Sequence, residues 1–374
     1  MKTFQCTHCA SLVFFDNSVC MQCGHALGFD PNTLGMLAIA PAQDSGAPAS
    51  DAGTPPLWQL VPQPGEIIPA TRYRQCRNQI DHQACNFLLD AGDPEAYCVS
   101  CRQTRTIPNL SVPGNLQHWT TIENAKRRLY YTLAKLGLEG RPVTPVYEFL
   151  EDVPGEDPVM TGHANGLITI NIAEADDAER TRRRIALHEP YRTLLGHLRH
   201  EVGHFYWDQF FQNNEAELAA FRQMFGDERE DYGQALERHY QNPKPDWQTA
   251  YVSSYATSHP WEDWAETWAH YLHLIDLQET AAGYRMGFVL HGAQGQTQEQ
   301  AIDPFDFIAQ GPQAGMPQDI TLLLNQSMGV SLVLNSLNRS LGQNDAYPFA
   351  LSTPVLQKLE FVHNVVRRYV HGAH

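Results

Sequence analysis

The stretch YRTLLGHLRHEVGHFYWDQFF, residues 191–211, decides the fold class of this chain of 374 residues. Pro190 precedes it, and proline is favoured at the first position of a helix. The apolar side chains that follow recur at helical intervals, at Leu194, Leu195, Leu198, Val202 and Phe205. The pattern therefore predicts a helix that carries His200 and His204 one turn apart on the same face.

Within this helix, His200, Glu201 and His204 form the pattern His-Glu-x-x-His. Two imidazoles at positions i and i+4 can bind one zinc ion, and the glutamate beside them can take a proton from water at the metal. A catalytic zinc also needs a third protein ligand. One known arrangement places a third histidine six residues further on, but Phe210 occupies that position, so the ligand must come from elsewhere.

A second helix is predicted over WEDWAETWAHYLHLID, residues 261–276. At about 100 degrees per residue, the aromatic side chains share one face, which predicts core contacts, and the carboxylates and imidazoles share the opposite face. This polar face meets either solvent or the zinc, and we favour the zinc, with Glu262 as the third ligand. Glu266 lies about 6 Å further along the axis, where a carboxylate can orient a zinc-bound imidazole.

Eight cysteines form two further candidate metal sites. The first consists of two C-x2-C pairs separated by ten residues, Cys6, Cys9, Cys20 and Cys23. The second has one widely spaced pair, so that His82 is an alternative ligand, and comprises Cys76, Cys85, Cys98 and Cys101. Four thiolates close a tetrahedral zinc site and leave no position for a substrate, so both quartets are predicted to hold structural zinc.

The composition excludes several classes of protein. Lys and Arg number 26 against 42 Asp and Glu, and the net charge of -16 argues against a nucleic-acid partner, which needs a basic face. Hydrophobic residues make up 43% of the chain, which suffices for a buried core. No apolar run reaches the roughly 18 to 20 residues that span a bilayer, and the start, MKTFQCTHC, contains no apolar signal region. We therefore expect a cytoplasmic protein without membrane contact.

The sequence divides into five predicted segments of an α+β protein. They are a zinc ribbon (residues 1–30), a Pro/Ala/Gly-rich linker (31–65), a second four-cysteine zinc module (66–111), the catalytic core (112–280) and a mostly helical extension that packs on the core (281–374). Within the core, the run LITINI follows an Asn-Gly turn and predicts a strand at residues 167–172. An extended peptide could lie along this strand if it is at the edge of its sheet.

These motifs resemble those of a known enzyme class. HEVGH followed by a helix with E-x-x-x-E resembles the gluzincin branch of zincin metallopeptidases, and EDWAETW with a tyrosine seven residues earlier is similar to the active site of anthrax lethal factor. The two Cys quartets, the run CRQTRTIPNLS, the AKRRL helix and HPWEDWAETWAHY together resemble bacterial zinc-ribbon-containing predicted zinc metallopeptidases. The chain departs from the gluzincin pattern in the 57 residues between His204 and Glu262, a long gap, and in having glutamate at position 266, where aspartate is common.

The resemblance implies a zincin-like metallopeptidase core behind two N-terminal zinc-ribbon-like modules with four cysteines each. It also implies the roles of the site residues, which are zinc ligation by His200, His204 and Glu262, general base catalysis by Glu201, oxyanion stabilisation by Tyr255 and orientation of a ligand by Glu266.

The predicted function is hydrolysis of peptide bonds by a zinc-activated water, with one catalytic and two structural zinc ions and a peptide or protein as substrate. Two alternatives remain open. In one, the zinc ribbons recruit a protein partner and the zincin core is inactive or rarely active. In the other, the same metal chemistry hydrolyses a non-protein amide.

Overall fold

The computed structural model describes residues 3–42, 56–66, 71–186, 193–292, 295–309, 320–349 and 351–372. Within these ranges the chain combines helices with β-sheets and carries both Cys quartets in its N-terminal part, which confirms the predicted fold class. Pro190, which was expected to begin the motif helix, lies outside the described residues. Among the residues described, no helix has both the length and the apolar character needed to cross a membrane.

Within the described ranges, seven short strands and one α-helix form the cysteine-rich part. They are β1 (Phe4–Gln5), β2 (Leu12–Val13), β3 (Ala26–Asp30), β4 (Gly35–Pro41), β5 (Trp58–Leu60), β6 (Arg72–Gln75), α1 (Arg77–His82) and β7 (Leu88–Asp90). Strands β1 and β2 form a hairpin, whereas β3 to β7 form one antiparallel sheet in sequence order. An isolated parallel bridge also joins Phe29 of β3 to Phe87, the residue before β7. The two Cys modules therefore share a sheet.

This sheet corrects the interpretation of residues 31–65 as a linker, which is wrong for strand β4. Strand β5 lies in WQLV, residues 58–61, the one stretch of the predicted linker expected to pack on another part of the protein. The side chains from Met36 to Ile39 are buried in the sheet. The composition of the whole segment, which is rich in Pro, Ala and Gly, conceals the short apolar run MLAIA that forms β4. Residues 43–55 of the predicted linker lie outside the described part of the chain.

Helix α2 (Asn115–Lys135) connects the cysteine-rich part to the core. Its Tyr130 and Tyr131 belong to the same apolar cluster as the cysteines and the phenylalanines around them. Two buried, positively charged side chains of α2 donate hydrogen bonds to the second module. Lys126 Nζ donates to the Ser100 carbonyl at 2.9 Å, and Arg127 Nη1 donates to the Ala84 carbonyl at 2.8 Å. Buried carbonyl groups of the module are thereby satisfied by the helix.

The core sheet lies beside the motif helix. Its strands are β8 (Thr104–Thr106), β9 (Val146–Leu150), β10 (Gly162–Ala164) and β11 (Leu167–Asn171), in the order β10-β11-β9-β8. The predicted strand at 167–172 is thus present as β11, but it pairs on both sides and is not the edge. The expectation that this strand could offer its edge to a peptide is therefore wrong, because the hairpin strand β10, antiparallel to β11, takes that position.

In the described residues up to Gly283, five α-helices follow the sheet in sequence. They are α3 (Asp177–Ala186), α4 (Leu194–Phe211), α5 (Glu215–Phe225), α6 (Tyr232–Gln241) and α7 (Pro260–Gly283). Helices α4 and α7 confirm the two helices predicted around the motifs. The Thr193 side chain caps α4 by accepting a hydrogen bond from the Gly196 amide at 3.0 Å, and His259 caps α7 in the same way through Trp261.

Gly203, within the His-Glu-x-x-His motif, lets α4 and α7 approach closely. A Cβ atom at this position would lie 3.0 Å from Trp268 Cδ1 and 3.1 Å from Ala265 Cα. Trp264 Nε1 donates a hydrogen bond of 2.9 Å to the Gly203 carbonyl, so the two helices are also joined through the backbone of the motif. This contact sets the distance between the imidazoles of α4 and the carboxylates of α7.

The C-terminal part packs on α7. It contains β12 (Gly287–Gly292), β13 (Gly295–Gln300), α8 (Pro304–Ala309), α9 (Thr321–Ser340) and α10 (Thr353–His371). Apolar side chains of α10, such as Val355, Leu359 and Val362, are fully buried in the main core. Lys358 Nζ of the same helix donates to Asp263 Oδ2 at 2.6 Å, which ties α10 to the first turn of α7 beside Glu262.

Candidate active site

Side-chain atoms of His200, His204 and Glu262 converge on one point between α4 and α7. The distance from Glu262 Oε2 is 2.9 Å to His200 Nε2 and 3.4 Å to His204 Nε2, and the two Nε2 atoms are 3.2 Å apart. The structure thus brings together the three predicted ligands, although 57 residues separate His204 from Glu262 in the sequence.

These three distances fit a zinc ion. Ligands at 2.0 to 2.1 Å from a tetrahedral zinc lie about 3.3 Å from one another, close to each distance observed here. Glu262 Oε2 is buried, and apart from its contacts with the two imidazoles it has no hydrogen-bond partner in the described residues, although a buried carboxylate oxygen normally has a donor. Two imidazoles and one carboxylate are also a ligand set found in catalytic zinc sites, which keep a fourth position open.

The charges at the site call for a cation. Burial lowers the pKa of His200, but the hydrogen bonds and charges of Glu262 and Glu266 outweigh burial and raise it well above its ordinary value. Burial opposes ionisation of Glu262, but the charge of His204 and the close approach of both imidazoles hold its pKa well below the usual range. The carboxylates are therefore ionised and need positive charge between them. A protonated His200 supplies this charge in the absence of metal, whereas a bound zinc ion would supply it with both imidazoles neutral.

Glu266 lies on the far side of His200. Its Oε1 is 2.7 Å from His200 Nδ1, and the Ser253 hydroxyl donates to its Oε2 at 2.5 Å. Burial raises the pKa of Glu266, but the hydrogen bond and charge of His200 outweigh this effect and lower the pKa to about 2. An ionised carboxylate accepting from Nδ1 leaves Nε2 of His200 free to bind a metal.

His204 is held in a different way. Its Nδ1 is buried and has no hydrogen-bond partner in the described part of the chain. The ring packs against Trp261 at 4.2 Å between centroids and lies nearly parallel to His163 of β10 at 6.3 Å. His204 is thus oriented by packing, and His200 by a carboxylate.

Glu201 follows His200 and is 9% exposed. Burial raises the pKa of its carboxyl group, and the nearby His200 and His204 offset only part of this effect. A carboxylate whose pKa is raised is a stronger base, as general base catalysis near neutral pH requires.

Tyr255 and Tyr232 flank the cluster. Tyr255 lies in a short 3₁₀ helix, Tyr255–Thr257, and its ring centroid is 5.9 Å from that of His200. The Tyr232 hydroxyl donates to Glu262 Oε1 at 2.7 Å and also interacts with the Tyr255 hydroxyl. Tyr232 therefore holds the second oxygen of Glu262, so that only Oε2 faces the imidazoles.

Tyr232, Ser253 and His163 were missed by the sequence analysis. Tyr232 lies in an acidic stretch, GDEREDYGQALERHY, that has the composition of a solvated helix face. His163 stands on a three-residue strand without any periodic pattern. For Ser253 alone the sequence contains an indication of a role in the site, because it lies two residues before Tyr255 and close to the start of α7.

The two Cys quartets also have the dimensions of zinc sites. None of the eight cysteines forms a disulfide, and the Sγ distances are 3.7 Å for Cys6–Cys23, 3.6 Å for Cys9–Cys20, and 3.7 Å for Cys85–Cys98 and for Cys85–Cys101. Sulfur ligands at 2.3 Å from a tetrahedral zinc lie about 3.8 Å apart. The structure brings Cys76 into the second group, whereas the His82 ring packs against Trp119. The alternative that His82 replaces a cysteine is not supported.

We expect three zinc ions per chain, one for each of these three groups. Elemental analysis of protein purified without added metal measures this number, and His204→Ala should lower it by one. A chelator should remove the histidine-bound zinc first, because its open position admits the chelator whereas four thiolates close the other sites. A metal content of two that His204→Ala leaves unchanged would exclude the third site.

Comparison with known proteins gives two family matches. Residues 115–365 match the family described as "Putative zinc-binding metallo-peptidase", and residues 3–112 match a zinc-ribbon domain. The second match spans both Cys quartets, in agreement with the sheet that they share.

Three mycobacterial proteins are similar to the chain over nearly its whole length. One is from Mycobacterium bovis and two are from strains of Mycobacterium tuberculosis, and all three are named as uncharacterized. Each is 36% identical over 373 residues, which cover 98% of this chain and 95% of the relative. No solved structure matches the chain.

Proposed function

The chain belongs to this family of zinc-binding metallo-peptidases, and we propose that it hydrolyses peptide bonds in the manner of a gluzincin, with His200, His204 and Glu262 as the ligands of a catalytic zinc. One observation carries the proposal, which is the convergence of two Nε2 atoms and one carboxylate oxygen at the spacing of zinc ligands. Glu201 lies next to His200 in α4, the helix that bears both imidazoles.

Zinc bound at this site would supply a Lewis acid that polarises the scissile carbonyl and lowers the pKa of water. The residues of the chain perform the remaining steps. Glu201 accepts the proton of the attacking water and later returns it to the leaving amine. Tyr255 donates a hydrogen bond to the oxygen of the scissile carbonyl once that oxygen becomes negative. Glu266 fixes the orientation of His200 throughout.

We expect Tyr255→Phe to lower kcat by about 10² to 10³, the range typical for loss of one oxyanion donor. Because the hydroxyl helps mainly in the transition state, kcat/KM should fall by the same factor while KM stays nearly constant. Steady-state kinetics on a peptide substrate and elemental analysis test this together.

Zinc content of the Tyr255→Phe protein should equal that of the parent. A variant with full kcat would return Tyr255 to the role of an ordinary loop aromatic, and one that loses zinc would make it a structural residue.

A second candidate function is recruitment of a protein partner by the first Cys module, with an inactive or rarely active core. The observation that favours it is the exposure of apolar side chains on this module, 94% for Met21, 53% for Leu12, 51% for Phe14 and 46% for Val19. Apolar side chains in water are a common feature of protein-binding surfaces. Recruitment by itself is compatible with peptidase activity, because a ribbon can also present a substrate to an active core.

The decisive experiment compares the parent protein with Glu201→Gln in a lysate of host cells. Newly formed peptide N-termini that depend on Glu201 would support the peptidase function and reveal its specificity. Their absence, with zinc bound at His200 and His204, would favour partner recruitment or hydrolysis of a non-protein amide.

A further inference from the structure

Ser253 connects two parts of the candidate active site, the Glu266 carboxylate and the turn that bears Tyr255. Its hydroxyl donates to Glu266 Oε2 at 2.5 Å and accepts from the Ala256 amide at 3.1 Å. The residue is 8% exposed, so water competes little for either bond. Ala256 belongs to the short 3₁₀ helix that begins with Tyr255.

These bonds form a chain that ends at a proposed zinc ligand. The Ala256 amide donates to Ser253, Ser253 donates to Glu266, and the other oxygen of Glu266 accepts from Nδ1 of His200. A hydroxyl can donate and accept at once in this way, whereas the side chain of alanine does neither. Because both oxygens of Glu266 are engaged, its carboxylate cannot rotate away from His200 without breaking a buried hydrogen bond.

The other proposed ligands offer no substitute for this chain. His204 Nδ1 has no hydrogen-bond partner in the described ranges, and its ring is held by packing against Trp261. The hydroxyl that supports Glu262 comes from Tyr232, on α6. Among the described contacts, His200 is therefore the proposed ligand that a carboxylate behind the ring orients. That carboxylate is Glu266, and its own orientation depends on Ser253.

We propose that Ser253 is a positioning residue that couples the orientation of His200 to the placement of the Tyr255 turn. The proposal rests on the proposed function, in which His200 binds the catalytic zinc and Tyr255 faces the substrate. Binding of zinc and ordering of the turn then favour each other, because a coupling between two sites acts in both directions. A loose turn would weaken zinc binding, and loss of zinc would loosen the turn.

The first test measures zinc affinity of the third site by competition with a chelator, which needs no substrate. Ser253→Ala should weaken this affinity by about tenfold, the lower end of the range for losses behind a metal ligand. Ser253→Thr keeps the hydroxyl and should restore most of the affinity. Ser254→Ala, a matched control at the adjacent serine, should bind zinc as the parent does. Retention of two zinc ions in the Cys quartets reports that each variant is folded.

A double-mutant cycle shows whether Ser253 acts through Glu266. In a Glu266→Ala background, Ser253→Ala should cause no further loss of zinc affinity. An unchanged affinity of Ser253→Ala, or an equal loss in both backgrounds, would overturn the proposal.

The second test examines the Tyr255 turn at saturating zinc. Ser253→Ala should lower kcat in the parent but not in a Tyr255→Phe background, because the tyrosine hydroxyl is already missing there. A loss of kcat that persists in that background would contradict the coupling. If the parent hydrolyses no peptide, the proposed function fails, whereas the zinc affinities still decide whether Ser253 orients the ligand through Glu266.

Discussion

Replacing Glu201 with glutamine is expected to lower kcat by about 10² to 10⁴ while the protein keeps its fold and all of its zinc. General base catalysis contributes a factor of this size, and an amide has no basic oxygen that can take the proton of water. Glutamine has nearly the shape of glutamate, and Glu201 is not among the three side chains whose atoms converge. Initial rates on a cleaved peptide, measured together with zinc content, test this prediction.

The matched control is Glu215→Gln, which removes the same charge from an exposed position at the start of α5. Its turnover should equal that of the parent. Comparable turnover in Glu201→Gln would mean that another group activates the water, and a loss of zinc in that variant would make Glu201 a ligand or a support for one.

Two helices of the site could be predicted from sequence because their patterns are local. The apolar stripe of α4 and the opposed faces of α7 depend only on side chains within a few turns, and both helices are present. The contact of Glu262 with the two imidazoles spans 57 intervening residues. Its prediction depends on the carboxylates on the polar face of α7 and on the resemblance to gluzincins, because periodicity alone does not indicate which helices meet.

The remaining contacts depend on tertiary structure. Tyr232 reaches Glu262 from another helix, and His163 lies against His204 from a strand of three residues, so neither has a neighbour in sequence that predicts its role. The N-terminal sheet was missed for a similar reason. Strand β4 contributes four buried side chains, but its partner β5 lies beyond a Pro/Ala/Gly-rich segment whose overall composition is that of a linker.

Gly203 shows how the motif serves the fold as well as the chemistry. The pattern His-Glu-x-x-His leaves position 203 open, but a Cβ atom there would press on Trp268 and on the backbone of Ala265. A larger residue would separate α4 from α7 and lengthen the distances from His200 and His204 to Glu262. The spacing of the proposed ligands is therefore set by helix packing, which the sequence motif alone does not contain.

Replacing Glu262 with alanine is expected to remove the catalytic zinc and all peptide hydrolysis with it. Two imidazoles alone would remain, and the charge that offsets the cation in this buried site would be lost. Metal content should fall from three zinc ions per chain to the two of the Cys quartets, as measured by elemental analysis after dialysis.

Glu266→Ala provides the contrast, because this carboxylate contacts His200 and not the proposed metal position. It should keep the zinc with an affinity weaker by about 10- to 100-fold, the effect typical of a lost partner behind a ligand. Tyr232→Phe, which frees only Oε1 of Glu262, should also keep the zinc. If Glu266→Ala lost the metal and Glu262→Ala retained it, the roles of the two carboxylates would be exchanged. Glu266 would then be the zinc ligand, and Glu262 would orient His200.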